Sequence, residues 1–410
     1  MAEQKVGQGC TELMLAVINQ DVDYVHALVE SGAELETRDK AGQNALYYAL
    51  PEIFSSASLE ILKCLVDKGI NINASLDGDG CSALVTAVVM DLPEVVQILV
   101  DNGADVDEGA ASKFWGSLSS DPACQNNMVE QSTATTQFIF SKGCGHSITP
   151  LVGAVMFQRH KIFRILLKSG ASPEGLSFGT FWKASMSSVC SNCDIEVTPL
   201  HMAAYIGDLE CTYVLLNTSA TCTSDVTEIC LSNNCSSSFN DISPLWFALL
   251  QGHIKIVKLF LSLGKPIALP CHFGSGLHVC LEEGHTAIAL MILRAGYDLA
   301  DDMDWIEDQK FPTTNTEVIE RIEGMVWQPR PLLDWCGTSL RKKFGFQLND
   351  YLSAVEAPRK VFDILNFNDL SPASWQPDIK QFLSKQDELK DLENKKNGCP
   401  PLSHARYFLP

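Results

Sequence analysis

The 410-residue sequence contains no apolar run of the ~18 residues that a bilayer-spanning helix needs. Residues 1–6 have no long apolar stretch either, so we expect no secretory signal. Basic residues are scarce, because 30 Lys and Arg stand against 50 Asp and Glu, which gives a net charge of −20. Nucleic acids and anionic membranes bind basic surfaces, so we expect neither as a partner.

The familiar catalytic motifs are also missing. We find no Gly-rich phosphate loop, no nucleophile elbow and no metalloprotease helix, so we expect no enzyme activity and no cofactor. Cys190 and Cys193 have the C-x2-C spacing of zinc ligands, and Cys222, Cys230 and Cys235 follow in the next insertion. Because no second recognisable pair accompanies the first, we expect free thiols there and no metal.

The 15 cysteines are too few for a disulfide scaffold, and their number is odd. Most of them lie within or beside apolar helical patterns, where a free cysteine packs as a small core residue. We therefore expect reduced thiols and a location in the cytoplasm or nucleus. Hydrophobic residues make up 46% of the chain, which is enough to build a core.

A short pattern recurs over the first 300 residues. Its clearest copy is Thr198-Pro199-Leu200-His201, and weaker copies contain leucines at a fixed position in the frame. These leucines are at positions 13, 46, 84, 151, 200, 245 and 277, so two of the six spacings are 33 and 32 residues. The other spacings are longer, as expected for the same period with insertions.

Each copy begins, and most copies end, with residues typical of helix termini. Thr or Ser precedes Pro in three copies and predicts a helix N-cap followed by proline in the first turn. Glycine after an apolar helix predicts a C-cap. The closing glycines are Gly32, Gly69, Gly103, Gly170, Gly264 and Gly296.

This pattern resembles the ankyrin repeat. The resemblance implies an all-α solenoid over residues 9–300 with seven repeats, because no unit can bury its apolar face alone. The turn residues that carry it are Thr149, Pro150, Thr198, Pro199, His201, Ser243 and Pro244.

Three insertions interrupt the period, near residues 107–146, 174–196 and 222–241. They are interpreted as polar loops, either without function or on the binding face. Residues 135–143 also fit the second helix of an eighth repeat, with Gly143 as its cap. Trp246 and Phe247 lie outside the usual core positions, so they are candidates for a partner interface or for local packing.

A different pattern follows an acidic linker at residues 301–328. Leu332, Cys336 and Leu340 are four residues apart and form one apolar stripe on a helix that Pro331 would start. With Pro331 and the following Arg341, they resemble the elongin-binding helix of a SOCS box, here at residues 329–370. The resemblance implies that these five residues bind elongin C, with elongin B as its partner.

The same resemblance assigns a cullin-binding segment. Val355-Glu356-Ala357-Pro358 occupies the position of the Leu-Pro-x-Pro that selects the cullin in this family. Only Pro358 is retained; Val355 is a conservative replacement, and Glu356 places a charge where the family has a rigid ring. We therefore expect intact elongin binding but weakened binding of a cullin-5 type cullin.

Together the two regions resemble the ankyrin repeat and SOCS box family. This implies a non-catalytic substrate-recognition subunit of an elongin B/C–cullin-RING ubiquitin ligase, with elongins, cullin, RING subunit and an unidentified protein substrate as partners. The alternative is an ankyrin scaffold or inhibitor that recruits no ligase. Residues 1–328 carry a net charge of −22, which favours either a basic target or simply solubility. Residues 371–410 are predicted to be a partly helical tail without an assigned role.

Overall fold

The computed structural model describes residues 9–50, 56–74, 82–111, 136–139, 147–175, 177–183, 193–218, 243–263, 275–327, 331–367 and 370. Within these ranges the first 300 residues form seven helix pairs, which we number as repeats one to seven. The pairs are α1 (Glu12–Ile18) with α2 (Val22–Glu30), α3 (Ala45–Ala49) with α4 (Ser56–Asp67), α5 (Ala83–Val89) with α6 (Pro93–Asp101), α7 (Pro150–Met156) with α8 (His160–Lys168), α9 (Pro199–Ile206) with α10 (Leu209–Thr218), α11 (Pro244–Leu250) with α12 (Ile254–Ser262), and α13 (Gly276–Glu282) with α14 (Thr286–Ala295).

The first helix of every repeat begins in the same way. One polar side chain at the N-cap accepts a hydrogen bond from the backbone N–H three residues later, which satisfies a donor that has no partner inside the helix. The seven N-caps are Thr11, Asn44, Ser82, Thr149, Thr198, Ser243 and Ser275. The predicted caps at Thr149, Thr198 and Ser243 are each followed by proline in the first turn.

Glycine follows five of the second helices at the predicted positions. Gly32, Gly69, Gly103, Gly170 and Gly296 all have φ between 87° and 109°, the left-handed region that costs a side-chain-bearing residue about 1–2 kcal/mol. An added Cβ would meet nothing within 4 Å at the first four of these glycines. Glycine is therefore favoured there for its backbone conformation and not for lack of space. Gly264 lies outside the described residues.

Neighbouring repeats bury their apolar faces against each other. First helices contact first helices, as α9 does with both α7 and α11, and second helices contact second helices, as α6 does with α8. The resulting core is continuous over repeats one to five and passes into a second cluster over repeats five to seven. This stacking confirms the predicted helical array.

The insertions add short strands that the sequence analysis did not predict. Strands β1 (Ala110–Ala111) and β3 (Ser147–Ile148) pair antiparallel, which joins the two ends of the first insertion directly before repeat four. Strands β2 (Thr136–Ile139), β4 (Ser177–Lys183) and β5 (Cys193–Val197) form an antiparallel sheet in the order β2-β4-β5. Register pairs Phe138 with Phe181 and Thr180 with Asp194.

The sheet changes two interpretations. Residues 136–139 are a strand, so the proposed helix of an eighth repeat at 135–143 is wrong. The first two insertions are also not loops throughout, because β4 links the strand contributed by one insertion to the strand contributed by the other. Residues 222–241 lie outside the described residues.

In the part of the chain that the structure describes, five further α-helices follow the array. They are α15 (Met303–Glu307), α16 (Thr316–Trp327), α17 (Leu332–Phe344), α18 (Leu348–Ala354) and α19 (Arg359–Leu365). Val318 and Ile322 of α16 are fully buried in the same core as α14, and Phe367 joins them there. The segment expected to be an acidic linker is therefore packed on the last repeat. None of the helices described is both long and apolar enough to cross a bilayer.

Candidate functional site

Helix α17 is attached to the array by its polar side. Asp334 is buried and forms an ion pair with Arg321 of α16. Thr338 Oγ1 donates to the carbonyl oxygen of Ala295 at 3.1 Å, at the end of α14. Gly337 is buried between them, and an added Cβ there would lie 3.3 Å from Leu365. These contacts fix the face of α17 that points toward the repeats.

Arg341 also points inward. It is only 2% exposed, its Nη1 donates to the carbonyl oxygen of Leu365 at 3.2 Å, and its guanidinium carbon lies 4.5 Å from the ring centroid of Phe367. Arg341 therefore joins α17 to the end of α19. The sequence analysis placed it among the partner-binding residues, and this burial removes it from that set.

The opposite face of α17 is apolar and exposed. Leu332 is 77% exposed, Trp335 55% and Leu333 53%, and the Cys336 thiol is free and exposed. Among the described residues eight large hydrophobic side chains are exposed, and six of them lie between 332 and 361. Contiguous exposed apolar side chains mark interaction sites in soluble proteins.

The apolar stripe predicted on α17 is therefore exposed at its start and half-buried at its end. Leu332 and Cys336 are exposed, together with Pro331 before them, whereas Leu340 is half-buried. Leu340 packs with Phe344 on a small core made by α18 and α19, whose buried members are Leu348, Leu352 and Leu365. The exposed end of the stripe is the part available to a partner.

The segment at 355–358 forms the corner between α18 and α19. Val355 is 52% exposed, and Pro358 is exposed at the N-cap of α19. Glu356 has φ of +53°. Its N–H donates to the carbonyl oxygen of Ser353 at 3.1 Å, and the N–H of Ala357 donates to the carbonyl oxygen of Leu352 at 2.9 Å. Helix α18 is thus followed by a residue in the left-handed conformation, and that residue is a glutamate where glycine is usual.

The turn residues of the repeats are structural. His201 is buried and its Nδ1 accepts a hydrogen bond from the backbone N–H of Thr198 at 3.1 Å, within the same turn. Pro150, Pro199 and Pro244 are buried. Trp246 and Phe247 are fully buried as well, so their interpretation as interface aromatics is wrong.

Polar contacts between repeats were not predicted. His253 Nε2 lies 3.0 Å from the carbonyl oxygen of Tyr205, and His285 Nε2 lies 3.2 Å from that of Leu250, in each case in the preceding repeat. A repeat pattern defines positions within one unit but not which neighbour a polar side chain reaches.

A second group of this kind joins repeats four and five. His160 Nε2 lies 2.7 Å from Asp208 Oδ2, and Arg164 pairs with Glu210. Cys211 completes a cluster with His160 and Asp208, in which the three ligand atoms lie within 4.8 Å of one another. The residues are 48 and 51 positions apart in sequence, so no spacing rule indicated them. Of the earlier cysteine candidates, Cys193 begins β5, and positions 190, 222, 230 and 235 lie outside the described residues.

Sequence comparisons agree with the repeat geometry. A family model described as ankyrin repeats, in three copies, matches residues 13–109, and one described as an ankyrin repeat matches residues 196–226. The chain therefore contains ankyrin repeats, which are protein-interaction scaffolds.

The chain is also similar to the human protein transient receptor potential cation channel subfamily A member 1. The two are 25% identical over 334 residues, which cover 80% of this chain and 27% of the human protein. The chain thus spans about a quarter of the length of that relative.

Proposed function

We propose that the protein is the substrate-recognition subunit of an elongin B/C–cullin-RING ubiquitin ligase. The observation that carries the proposal is that α17 buries two charged residues, Asp334 and Arg341. Its exposed residues are instead the apolar Leu332, Trp335 and Cys336. A helix that served only to cover the last repeat would bury its apolar residues instead. An exposed apolar helix face suits a partner with an apolar groove.

In this proposal Leu332 and Cys336 are the side chains that enter the elongin C groove. Both are exposed, and four residues apart they project from the same face of α17. Cys336 contributes as a small apolar group rather than as a nucleophile. The ion pair between Arg321 and Asp334 holds α17 on the array. The exposed face of α17 is therefore presented to elongin C in a fixed orientation.

The ankyrin array is the proposed target-binding part, and the chain itself carries out no chemistry. It raises the effective concentration of the target near the ubiquitin-loaded partner, which is how tethering accelerates a transfer reaction. The acidic balance of residues 1–328 supports a target with a basic segment. Elongins, a cullin-5 type cullin and its RING subunit are the implied partners.

Replacement of Leu332 by aspartate tests the elongin assignment. A charge in an apolar groove costs several kcal/mol, so Leu332→Asp and Cys336→Asp are expected to abolish recovery of elongin B–C with the purified chain. Leu15→Asp is the matched control, because Leu15 is also an exposed leucine but lies on α1, in the first repeat. Undiminished elongin recovery with Leu332→Asp would refute the proposal.

A scaffold without ligase recruitment is the second candidate, and the corner at 355–358 favours it. Glu356 occupies a position where the SOCS box family has proline. Glu356→Pro cannot simply restore the motif, because the ring fixes φ near −65° whereas the backbone there has φ of +53° and its N–H is bonded to Ser353. The cullin-binding geometry therefore differs from that of a full Leu-Pro-x-Pro.

A titration separates the two candidates. The purified complex with elongin B–C is titrated with the cullin-5 N-terminal domain. Measurable binding that Val355→Leu tightens about three- to four-fold, as one extra buried methylene predicts, supports the ligase. Val361→Leu is the control at a second exposed valine, on α19. Elongin binding with no cullin binding would establish the scaffold instead.

A further inference from the structure

The cluster between repeats four and five brings together three kinds of metal ligand. His160 is the first residue of α8, Asp208 precedes α10, and Cys211 lies one turn into α10. Their ligand atoms lie within 4.8 Å of one another, although they belong to two repeats. Hydrogen bonds that hold the Asp208 carboxylate in place keep the three side chains together.

Asp208 is oriented by the start of α10. Its Oδ1 accepts the backbone N–H of Cys211 at 3.0 Å, so Oδ2 is directed toward His160 at 2.7 Å. The carboxylate is therefore positioned before any ligand binds.

The surroundings suit a small cation better than an anion or an organic molecule. Cys211 is fully buried and the Asp208 side chain is 4% exposed, whereas the His160 side chain is 41% exposed and connects the cluster to solvent. A thiolate and a carboxylate would neutralise a divalent cation, so the loaded cluster carries no net charge. The nearby Arg164 is itself paired with Glu210.

We propose that His160, Asp208 and Cys211 form a three-ligand site for Zn²⁺ that links repeats four and five. One sulfur, one imidazole nitrogen and one carboxylate oxygen are ligands that Zn²⁺ accepts, whereas Mg²⁺ and Ca²⁺ require oxygen ligands. The ligand atoms need to adjust by roughly 1 Å to reach tetrahedral distances of ~2.0–2.3 Å from the metal. Because it is half-exposed, His160 can make that adjustment.

Binding has a defined proton balance. The Cys211 thiol loses its proton to the solvent as the sulfur–metal bond forms, and His160 binds in its neutral form through Nε2. Each metal ion bound therefore releases one proton from the site. Affinity is therefore expected to fall as the pH is lowered.

The site differs from other cysteine–histidine contacts of the chain. Cys64 Sγ lies 3.4 Å from His26 Nδ1, a contact that joins repeats one and two. The only metal-ligand group of three in the described residues is the cluster at His160. Cys64 and His26 are therefore a matched control with two of the three ligand types.

The test uses the full chain carrying Cys190→Ser, which breaks the C-x2-C pair elsewhere. The chain is treated with a chelator and titrated with Co²⁺ and then with Zn²⁺. We expect one equivalent of Co²⁺ to give a sulfur-to-cobalt charge-transfer band that Zn²⁺ abolishes. Zn²⁺ at a hundredfold excess over its Kd is expected to raise the midpoint of thermal unfolding by about 3–5 °C.

Two variants decide the outcome. His160→Gln and Cys211→Ser are each expected to lose the band and at least ~100-fold of the affinity, since loss of an outer-shell contact alone costs 10–100-fold. Cys64→Ser and His26→Gln keep both. Far-UV circular dichroism of the metal-free variants verifies that they are folded. A wild-type chain without the band, or a band that survives in His160→Gln or in Cys211→Ser, would overturn the proposal.

Discussion

At the scale of single residues, glycines with the same backbone conformation have different surroundings. Gly103 has φ of +90° and its missing side chain would meet nothing within 4 Å. Gly207 has φ of +87°, but an added Cβ would lie 2.7 Å from the ring of His253 in the next repeat. Sequence shows both as turn glycines and cannot distinguish them.

Alanine at these two positions is predicted to have unequal effects. Gly103→Ala is expected to cost about 1–2 kcal/mol from the backbone alone. Gly207→Ala is expected to cost about 1–2 kcal/mol more, because the ring must leave its hydrogen bond with Tyr205. Urea unfolding measures both. If the ring is the cause, the extra cost vanishes when His253→Ala is made first; an unchanged extra cost contradicts this account.

His253 also gives the array a pH dependence. Burial lowers its pKa below the ordinary value, with the neighbouring His285 adding to the effect, while its contact with the Tyr205 carbonyl acts in the opposite direction. The unfolded chain therefore binds a proton that the folded chain excludes. This contribution to stability is complete above the unfolded pKa and is lost as the pH falls toward the folded one.

We predict that the free energy of unfolding decreases between about pH 7.5 and about pH 5.5, and that His253→Gln reduces this decrease. Glutamine cannot take up the proton but can still donate to the carbonyl oxygen of Tyr205. Denaturant titrations at several pH values measure the slope. His278→Gln serves as the control for replacing a histidine elsewhere in the array. Equal slopes for wild type and His253→Gln would exclude this residue as the source.

At the scale of elements, α17 combines a buried ion pair with an exposed apolar face. Asp334 is 5% exposed, and Arg321 is its charged partner on α16. Removing one charge leaves the other without compensation in a largely buried site, whereas replacing both can be nearly neutral.

Asp334→Ala is therefore predicted to destabilise the contact between α17 and the array by about 2–3 kcal/mol, less than for a fully buried pair because Arg321 is partly exposed. The double variant Arg321→Met with Asp334→Leu is expected to recover most of that loss. Hydrogen exchange of α16 and α17 measures it. A double variant no more stable than Asp334→Ala would show that the pair itself holds the helix.

The sequence predicts some elements well and others poorly, for physical reasons. Caps such as Thr198 and glycines such as Gly103 are local signals, and the structure has them at the predicted positions. The strand at 136–139 depends on pairing with residues more than 40 positions away, which no local pattern contains. The burial of Arg341 depends on where α19 returns, so the matching arginine of a motif was a poor guide to exposure.

The site was predictable to a similar extent. The spacing of Leu332 and Cys336 correctly put them on one face, but spacing alone could not show whether that face was covered by the last repeat. The answer came from the opposite face, where Thr338 bonds the end of α14 and leaves the apolar side outward. Which partner covers that side is still a proposal.

At the scale of the whole molecule, the last repeats and the helices after them share one core. Phe367 is 1% exposed and lies in the same cluster as residues of α14 and α16. The guanidinium of Arg341 covers its ring. The elements that would bind elongin and those that would bind a target are therefore mechanically connected through repeats six and seven, and not through a linker.

Phe367→Ala is predicted to lower the stability of this shared unit by about 3–5 kcal/mol through the cavity it leaves. Stability in a stacked array is transmitted between neighbours, so amide exchange is expected to rise most in α14, α16 and α17 and hardly at all in repeats one to three. Val361→Ala is the control, because Val361 is an exposed residue of α19. Exchange that rises only within residues 331–367 would mean that these residues are energetically separate from the array despite the shared core. A rise that reaches α14 would mean that loss of packing at Phe367 weakens the last repeat of the array, which is part of the proposed target-binding surface.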